Sequence, residues 1–512
     1  MQAMRTPIIV CAVVFLLATV FVPGSGASPK APAGPDAAPA GPDPAAGAPA
    51  AAPAPEVNPA FARLAEEFVY TTLSFSPAAA TGNGLHERED PKTGYKVKFD
   101  EMLDDNSPAE IARQRAWYAG FRSRLSTIRR ASLDPQTRVD YDLLMNAVGF
   151  ALYAFDDERF YERKPQNYAE SLGGALFAPM SLEYASKEAR AGHFVARLEK
   201  APAFLDQAMA NLKASNAIYR KVALEATDGV VSLVRDLGPD FVRGTASEKR
   251  FDEAKKPALD ALERYAAFIR NDLPKRAEFD WRMGPRRFAA KWKYYLQVSF
   301  TPAQMLTYAE RELRETRAEM LKLAEPLAKQ WFPDKQYDRS NPDAYLNAVV
   351  KDVLGKVQNE KIKRDELVEQ TEKDVAEIND FIRRKQVVSI VDYPNLKVIP
   401  TPEFMRGSYG IAGAVFAPAL EPNLATFYWV TPIPKEWSDE QADGRLREYN
   451  KYKLLTLHAH EAIPGVMGAM TMTFTARSAT QLAGLSVGDR VRFAFTVTDD
   501  GQRLIDSIER MR

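Results

Sequence analysis

Three stretches of this chain announce a helix in the same way: a side-chain acceptor, then proline, then a polar or acidic first turn. They are Ser107-Pro108-Ala109-Glu110, Thr301-Pro302-Ala303-Gln304 and Asn341-Pro342. Proline is tolerated at the first helical position because its missing N–H would find no partner there. The preceding side chain accepts from a free N–H of the first turn, and Glu or Gln three residues on completes a capping box. After the first signal, Ile111, Tyr118, Phe121, Leu125 and Ile128 recur on one face of a helix. After the second, Leu306, Ala309, Leu313, Met320 and Leu323 form one stripe. Such stripes predict amphipathic helices packed on a core. Helical signals of this kind dominate residues 58–455. The short β-branched and aromatic runs Val387–Val398 and Leu424–Val430 are the exceptions and predict a small sheet or extended loops. The fold class expected is mainly α.

The period changes near the C-terminus. Val491, Phe493, Phe495 and Val497 alternate with other residues and share one face of a strand. Asp499-Asp500-Gly501 is a turn of hairpin type, and Leu504–Ile508 is placed to return as a second strand. Residues 456–512 are therefore expected to form a small β segment after the large helical domain.

The N-terminus reads as an address. Arg5 precedes the apolar run Pro7–Val22, and Ser25-Gly26-Ala27 offers small residues for cleavage. Residues 1–27 are read as a signal peptide for export to the periplasm or beyond, with an uncleaved N-terminal anchor as the alternative. The run is short of the about 20 residues that a spanning helix needs. Residues 28–57 are almost wholly Ala, Pro, Gly and Asp, a composition that stays extended as a linker. Cys11 is the only cysteine and lies within the apolar run. A soft-metal site in the mature chain must then use Met and His. Lys+Arg and Asp+Glu are equal at 68 each, so no global charge draws the chain to nucleic acid or to an anionic membrane.

The chemistry concentrates in Thr456–Phe474, TLHAHEAIPGVMGAMTMTF. Met470 and Met472 are two apart, so on a strand their thioethers project from one face, with His460 and Met467 just upstream. Thioether and imidazole together suit Cu(I). Methionines spaced so are also ordinary core residues. His460-Glu461 suggests a zinc hydrolase, but the second His of an HExxH helix belongs four residues on, where Pro464 stands. His458 does not replace it, because two residues on a helix turn about 200°. His86 and His193, the other histidines, read as structural.

Two resemblances meet on this stretch. His460 through Phe474, with Leu485-Ser486-Val487-Gly488-Asp489-Arg490-Val491-Arg492-Phe493, resembles the CusF-like periplasmic copper-binding domains. These are small OB-like β-barrels that bind Cu(I) through a His and a Met-Thr-Met pair. The resemblance implies His460, Met470 and Met472 as ligands and Met467 as a further sulfur contact, near the place of the family's ring-stacking Trp. It implies a copper ion as cargo and a copper efflux or carrier system as partner. The barrel would be incomplete, since Gly444–Leu457 reads as helix where the family has its first strand.

Residues 60–465 resemble a bacterial domain-of-unknown-function family of exported, mostly helical, metallopeptidase-like proteins. The strings Ser76-Pro77 to Asn83-Gly84-Leu85-His86, Asp134–Leu144, Thr401-Pro402-Glu403-Phe404, Phe427–Pro432 and Tyr449-Asn450 carry it. That family's signature is HExxPGH. Here His460, Glu461, Pro464 and Gly465 match, and Val466 replaces the closing His. The resemblance implies zinc, with His460 as ligand and Glu461 as general base, in a site lacking its other ligands. The string HEAIPG thus fits both signatures. It leaves open a true fusion, a chimeric join of two proteins, and a body that acts only as a non-catalytic scaffold.

Overall fold

The computed structural model describes residues 58–89, 94–297, 300–385, 396–406, 410–462, 475–476, 491–497 and 503–510. The signal peptide and linker expected over residues 1–57 lie outside the described residues. Among those described, no helix is long and apolar enough to cross a membrane. The chain divides into two compact units. One runs up to Met283 and includes Ile382–Thr431; the other comprises Gly284–Phe381 and Pro432–Arg512.

The first unit opens with α1 (Pro59–Phe75) and α2 (Pro77–Gly82), a short hairpin of β1 (Glu87–Glu89) and β2 (Lys96–Lys98), and the 3-10 turn Phe99–Glu101. α3 (Pro108–Ser126), α4 (Pro135–Tyr153), α5 (Pro165–Ser181), α6 (Lys187–Leu198) and α7 (Ala201–Asn211) follow. After β3 (Ala214–Ser215) come α8 (Ala217–Ser232), α9 (Glu248–Asn271) and β4 (Ala277–Glu278). The cap expected before α3 forms by half. Ser107 Oγ accepts from Glu110 N at 3.3 Å, but Glu110 turns its carboxylate to Arg113 and Gln114. Tyr118, Phe121 and Leu125 are buried as the stripe requires, packing with Phe61, Phe68 and Leu144 in one apolar cluster. A second cluster joins α5 to α9 around Leu172, Phe194, Leu205, Val230 and Tyr265.

A three-stranded sheet completes this unit. β7 (Thr426–Val430) lies between β5 (Leu396–Pro400), parallel to it, and β6 (Ala412–Val415), antiparallel. All five residues of β7 are buried, which explains an apolar run without alternation. Phe404, in the turn after β5, is wedged against α5 and α8 at Gly173 and Gly229. A Cβ on Gly229 would stand 2.3 Å from Phe404 N, so only glycine admits the wedge.

The second unit contains α10 (Gly284–Leu296), α11 (Pro302–Trp331), α12 (Pro342–Val357), α13 (Leu367–Lys385), α14 (Asp439–Glu448) and α15 (Lys451–Glu461). α13 crosses the unit boundary at its last turn. Thr301 and Gln304 form the full capping box at α11, and Asn341 caps α12. The apolar stripe of α11 does not behave as core. Leu306, Leu313 and Leu323 are 61%, 59% and 68% exposed, whereas Ala324 and Ala328 are buried against Val349, Val350 and Val353 of α12. Length explains Leu306 and Leu313: α11 has 30 residues and α12 only 16, so α12 covers the C-terminal turns of α11 and leaves the earlier ones uncovered. Leu323, beside the buried Ala324, is about 100° round the helix from it and so off the face that meets α12.

The tail carries the expected strands as β9 (Val491–Val497) and β10 (Arg503–Arg510), antiparallel, with β8 (Thr475–Ala476) parallel to β10. The order β8-β10-β9 is not a simple meander, and no closed barrel forms among the described residues.

These packing differences predict unequal responses to mutation. Leu313→Gln and Leu323→Gln should each change unfolding free energy by no more than about 0.5 kcal/mol, as exposed positions do. Phe121→Ala, which empties a fully buried site, should cost about 3–5 kcal/mol. Denaturant unfolding followed by fluorescence would distinguish the two classes.

Candidate functional site

α15 is the described part of the contested stretch. Asn450 starts it, its side chain accepting from Tyr452 N at 3.1 Å and Lys453 N at 3.3 Å. The helix closes at Glu461, with Ala462 N donating to His458 O. Leu454 and His458, one turn apart, face inward; His460, about 200° round from His458, is exposed. Helical geometry thus sends the two histidines to different fates. Met467, Met470 and Met472 lie outside the described residues, as do Pro464, Gly465 and Val466. Of the residues expected to bind metal, His460 alone can be placed, on an exposed surface at the end of a helix.

His458 is 1% exposed and held from both sides by α13. Its Nδ1 is 3.1 Å from Asp374 Oδ2, and its Nε2 is 3.3 Å from Thr371 Oγ1. Thr371 donates to Leu367 O at 2.7 Å, and Asp374 Oδ1 accepts from Gln370 Nε2 at 2.7 Å. Although Thr, His and Asp stand in the order of a hydrolytic triad, the hydroxyl is fully buried and has no route to a substrate. The arrangement is an anchor that fixes the rotation of α15 and with it the outward direction of His460. Nothing in the sequence pairs His458 with Asp374, 84 residues away. The only available hint was the i, i+4 spacing of Leu454 and His458.

The first unit holds a second histidine cluster, formed by His86 and His193 with acids from other segments. His86 Nδ1 lies 3.0 Å from Asp100, and His86 Nε2 lies 3.0 Å from Glu421 Oε2. The ring stacks on Tyr184 at 4.3 Å, and the Tyr184 hydroxyl meets His193 Nδ1 at 3.1 Å. His193 Nδ1 is in turn 3.6 Å from Asp100 Oδ2. Burial lowers the affinity of His86 for its proton, but the hydrogen bonds to Asp100 and Glu421 outweigh it and hold its pKa above the ordinary value. His193, with burial dominant, is shifted down. Residues from four separate segments build this cluster, which chain folding alone brings together. Among the described residues, no group of three or more His, Cys, Asp or Glu side chains is arranged to hold a metal ion.

Comparison with known proteins bears on both units. The family profile described as "Bacterial protein of unknown function (DUF885)" matches residues 77–467, and that of "Copper binding periplasmic protein CusF" matches residues 440–510. The two matches overlap over residues 440–467, which take in most of α14, all of α15 and the stretch that follows it. Two solved structures are similar in fold. A candidate lipoprotein of unknown function from Shewanella oneidensis is 21% identical, with a TM-score of 0.59, over 79% of this chain and 70% of that one. A candidate lipoprotein from Colwellia psychrerythraea is 13% identical, with a TM-score of 0.53, over 79% and 71%. At these identities the likeness establishes the fold alone. No curated protein matches the chain.

The anchor predicts a measurable coupling. Asp374→Ala leaves a buried imidazole without its partner, and His458→Ala strands the carboxylate. Each should destabilise the unit by about 1–3 kcal/mol. The double variant should lose less than the sum, as a double-mutant cycle on urea unfolding would reveal.

Proposed function

Because the chain belongs to the DUF885 family and carries a CusF match at its C-terminal end, we propose that it is an exported Cu(I)-binding protein. Its ligands in this reading are His460, Met467, Met470 and Met472, in a segment 456–512 attached to a helical body over residues 58–455. The observation that carries the reading is the CusF match over residues 440–510, which contains all four side chains. Their chemistry agrees with it. Thioether sulfur is a soft donor that prefers Cu(I) to harder ions, and imidazole adds a borderline one. The sole thiol, Cys11, lies in the N-terminal apolar run. His460 supports the reading by its exposure, which lets an ion reach it, whereas His458 is buried against Asp374 and Thr371. Export is supported by the apolar N-terminal run and by the periplasmic protein that the C-terminal match names. The copper ion is then the cargo, and a copper efflux or carrier system the expected recipient.

The test is anaerobic competition for Cu(I) between the intact protein and a chromophoric chelator. Met470→Leu with Met472→Leu should weaken affinity by about two orders of magnitude, as expected when two donors are lost, each tenfold being about 1.4 kcal/mol. Unchanged affinity in the double variant would refute the assignment. Because HEAIPG satisfies both signatures, the tryptic peptide Leu454–Arg477 should also be sought in the exported fraction of the producing cells. Its detection establishes that body and tail are one chain; its absence, with flanking peptides assigned to two proteins, would separate them.

A second reading rests on the DUF885 match running through His460-Glu461. A zinc-dependent hydrolase would use His460 as ligand and Glu461 as general base. Val466 stands where the closing histidine of HExxPGH would be needed, and Pro464 rules out the HExxH pair. Zinc-loaded protein should therefore show no peptide turnover that Glu461→Gln removes, and turnover of that kind would favour the hydrolase.

A further inference from the structure

The segment 416–425, between β6 and β7, lies against the turn that precedes β1, far earlier in the chain. Three contacts hold it there. Leu420 N donates to Asn83 O at 3.0 Å. The Leu420 side chain packs on the apolar cluster of α1 to α4. Glu421 Oε2 meets His86 Nε2 at 3.0 Å. The approach is close enough that a Cβ on Gly84 would stand 2.8 Å from Glu421 Cγ and 3.1 Å from its N, and Gly84 itself has φ +80°. A side chain at that position would be excluded on both counts.

His86 therefore stands between two carboxylates, one on each ring nitrogen. An imidazolium donates to both. A neutral imidazole has one N–H, so one carboxylate must then face a lone pair at hydrogen-bond distance. The two acids are not equivalent. Asp100 also accepts from Thr81 Oγ1 at 2.6 Å, and Thr81 is itself held by the buried Arg197. For the Glu421 carboxylate, among the described residues, the hydrogen-bond partner is His86 alone. Proton loss should thus retain the Asp100 contact and break the Glu421 one. The other groups facing the cluster leave that order intact. Tyr184 stacks on His86 and is kept neutral by burial. His193 is disfavoured as a cation by burial. Arg197, Arg190 and Glu101 act on Tyr184, His193 or Asp100 from further away.

We propose that His86 is a proton-operated latch: protonated, it clamps segment 416–425 onto the Asn83–His86 turn through Glu421, and on deprotonation it releases that segment locally while the rest of the unit stays folded. The sense of the pH dependence follows from linkage. The docked state raises the His86 pKa above 6.5. The clamp is then fully present below the ordinary histidine value and is lost as pH rises through the docked value. The flanking pairings of β7 with β5 and β6 do not involve His86 and remain, which limits the release to this segment. The inference is independent of copper binding.

Hydrogen–deuterium exchange of the intact chain, corrected for intrinsic chemistry, would test it between about pH 5.5 and about pH 8.5, a range bracketing the ordinary histidine value. The reporters are the amides of Leu420, Glu421 and Leu424, bonded to Asn83 O, Pro418 O and Glu421 O. Their protection should fall about tenfold for each pH unit between the His86 pKa of the released state, which keeps Asp100, and the higher docked pKa. Glu421→Gln should abolish the step, because the introduced amide can accept from a protonated His86 through its oxygen and donate to a neutral one through its nitrogen, with Asp100 taking the other ring N–H throughout. Flat protection in the unmodified chain would overturn the proposal, as would an unchanged step in Glu421→Gln. If that variant does not fold, NMR titration decides. The chain has four histidines, so His86→Asn assigns the signal, and a His86 pKa at or below 6.5 would also overturn the latch.

Discussion

The fully buried guanidinium of Arg197 is the interaction on which the arrangement of the first unit depends. From α6 it donates to Met102 O, Ala175 O, Phe99 O and Thr81 Oγ1, joining α2, α5 and the turn that carries Asp100. An isolated charge in an apolar interior is expensive, and it persists only where hydrogen bonds and opposite charge surround it. The carbonyls supply the first, and Asp100 and Asp104 supply the second. Phe194, Val195 and Leu198 of the same helix are fully buried, so the apolar core carries the cation at its centre. Thr81, held by Arg197, then positions Asp100, and Asp100 positions His86. The histidine cluster is the outer end of a polar network rooted in one buried charge.

The second unit solves a related problem on a single helix. α15 turns one histidine inward to a carboxylate and the next outward to solvent, with a single residue between two positions that have opposite requirements. A buried imidazole needs partners and offers stability. An exposed one can be reached by a ligand. The anchor at His458 is what makes the outward direction of His460 definite, since a helix fixed in rotation fixes every side chain upon it.

Much of the fold was legible because its signals are local. The acceptor-proline starts at Ser107, Thr301 and Asn341 each begin a helix, and the alternation of Val491–Val497 becomes a strand. The run Leu424–Val430 becomes the buried centre of a sheet. The stripe of α11 misled because periodicity states that a face is apolar, not that a partner is long enough to cover it. The candidate site was less legible. His460 was singled out from its neighbours, while His458, which controls its direction, was passed over. The partners of His86 and His193 were not legible because the acids that engage them, Asp100 and Glu421, are 14 and 335 residues from His86.

By itself, the sequence determined the helical body, the start of its main helices, the β character of the tail, and the gathering of His and Met in one short stretch. These follow from backbone capping, side-chain period and ligand chemistry, all properties of residues close in the chain. Only the tertiary structure decided which apolar faces are covered, which of two neighbouring histidines is buried, and that the loop carrying Glu421 closes on the turn at Gly84. Those outcomes depend on helix lengths, on the room left by Gly84, Gly173 and Gly229, and on charges that meet after folding. No local pattern encodes them, because the interacting groups become neighbours only when the core has formed.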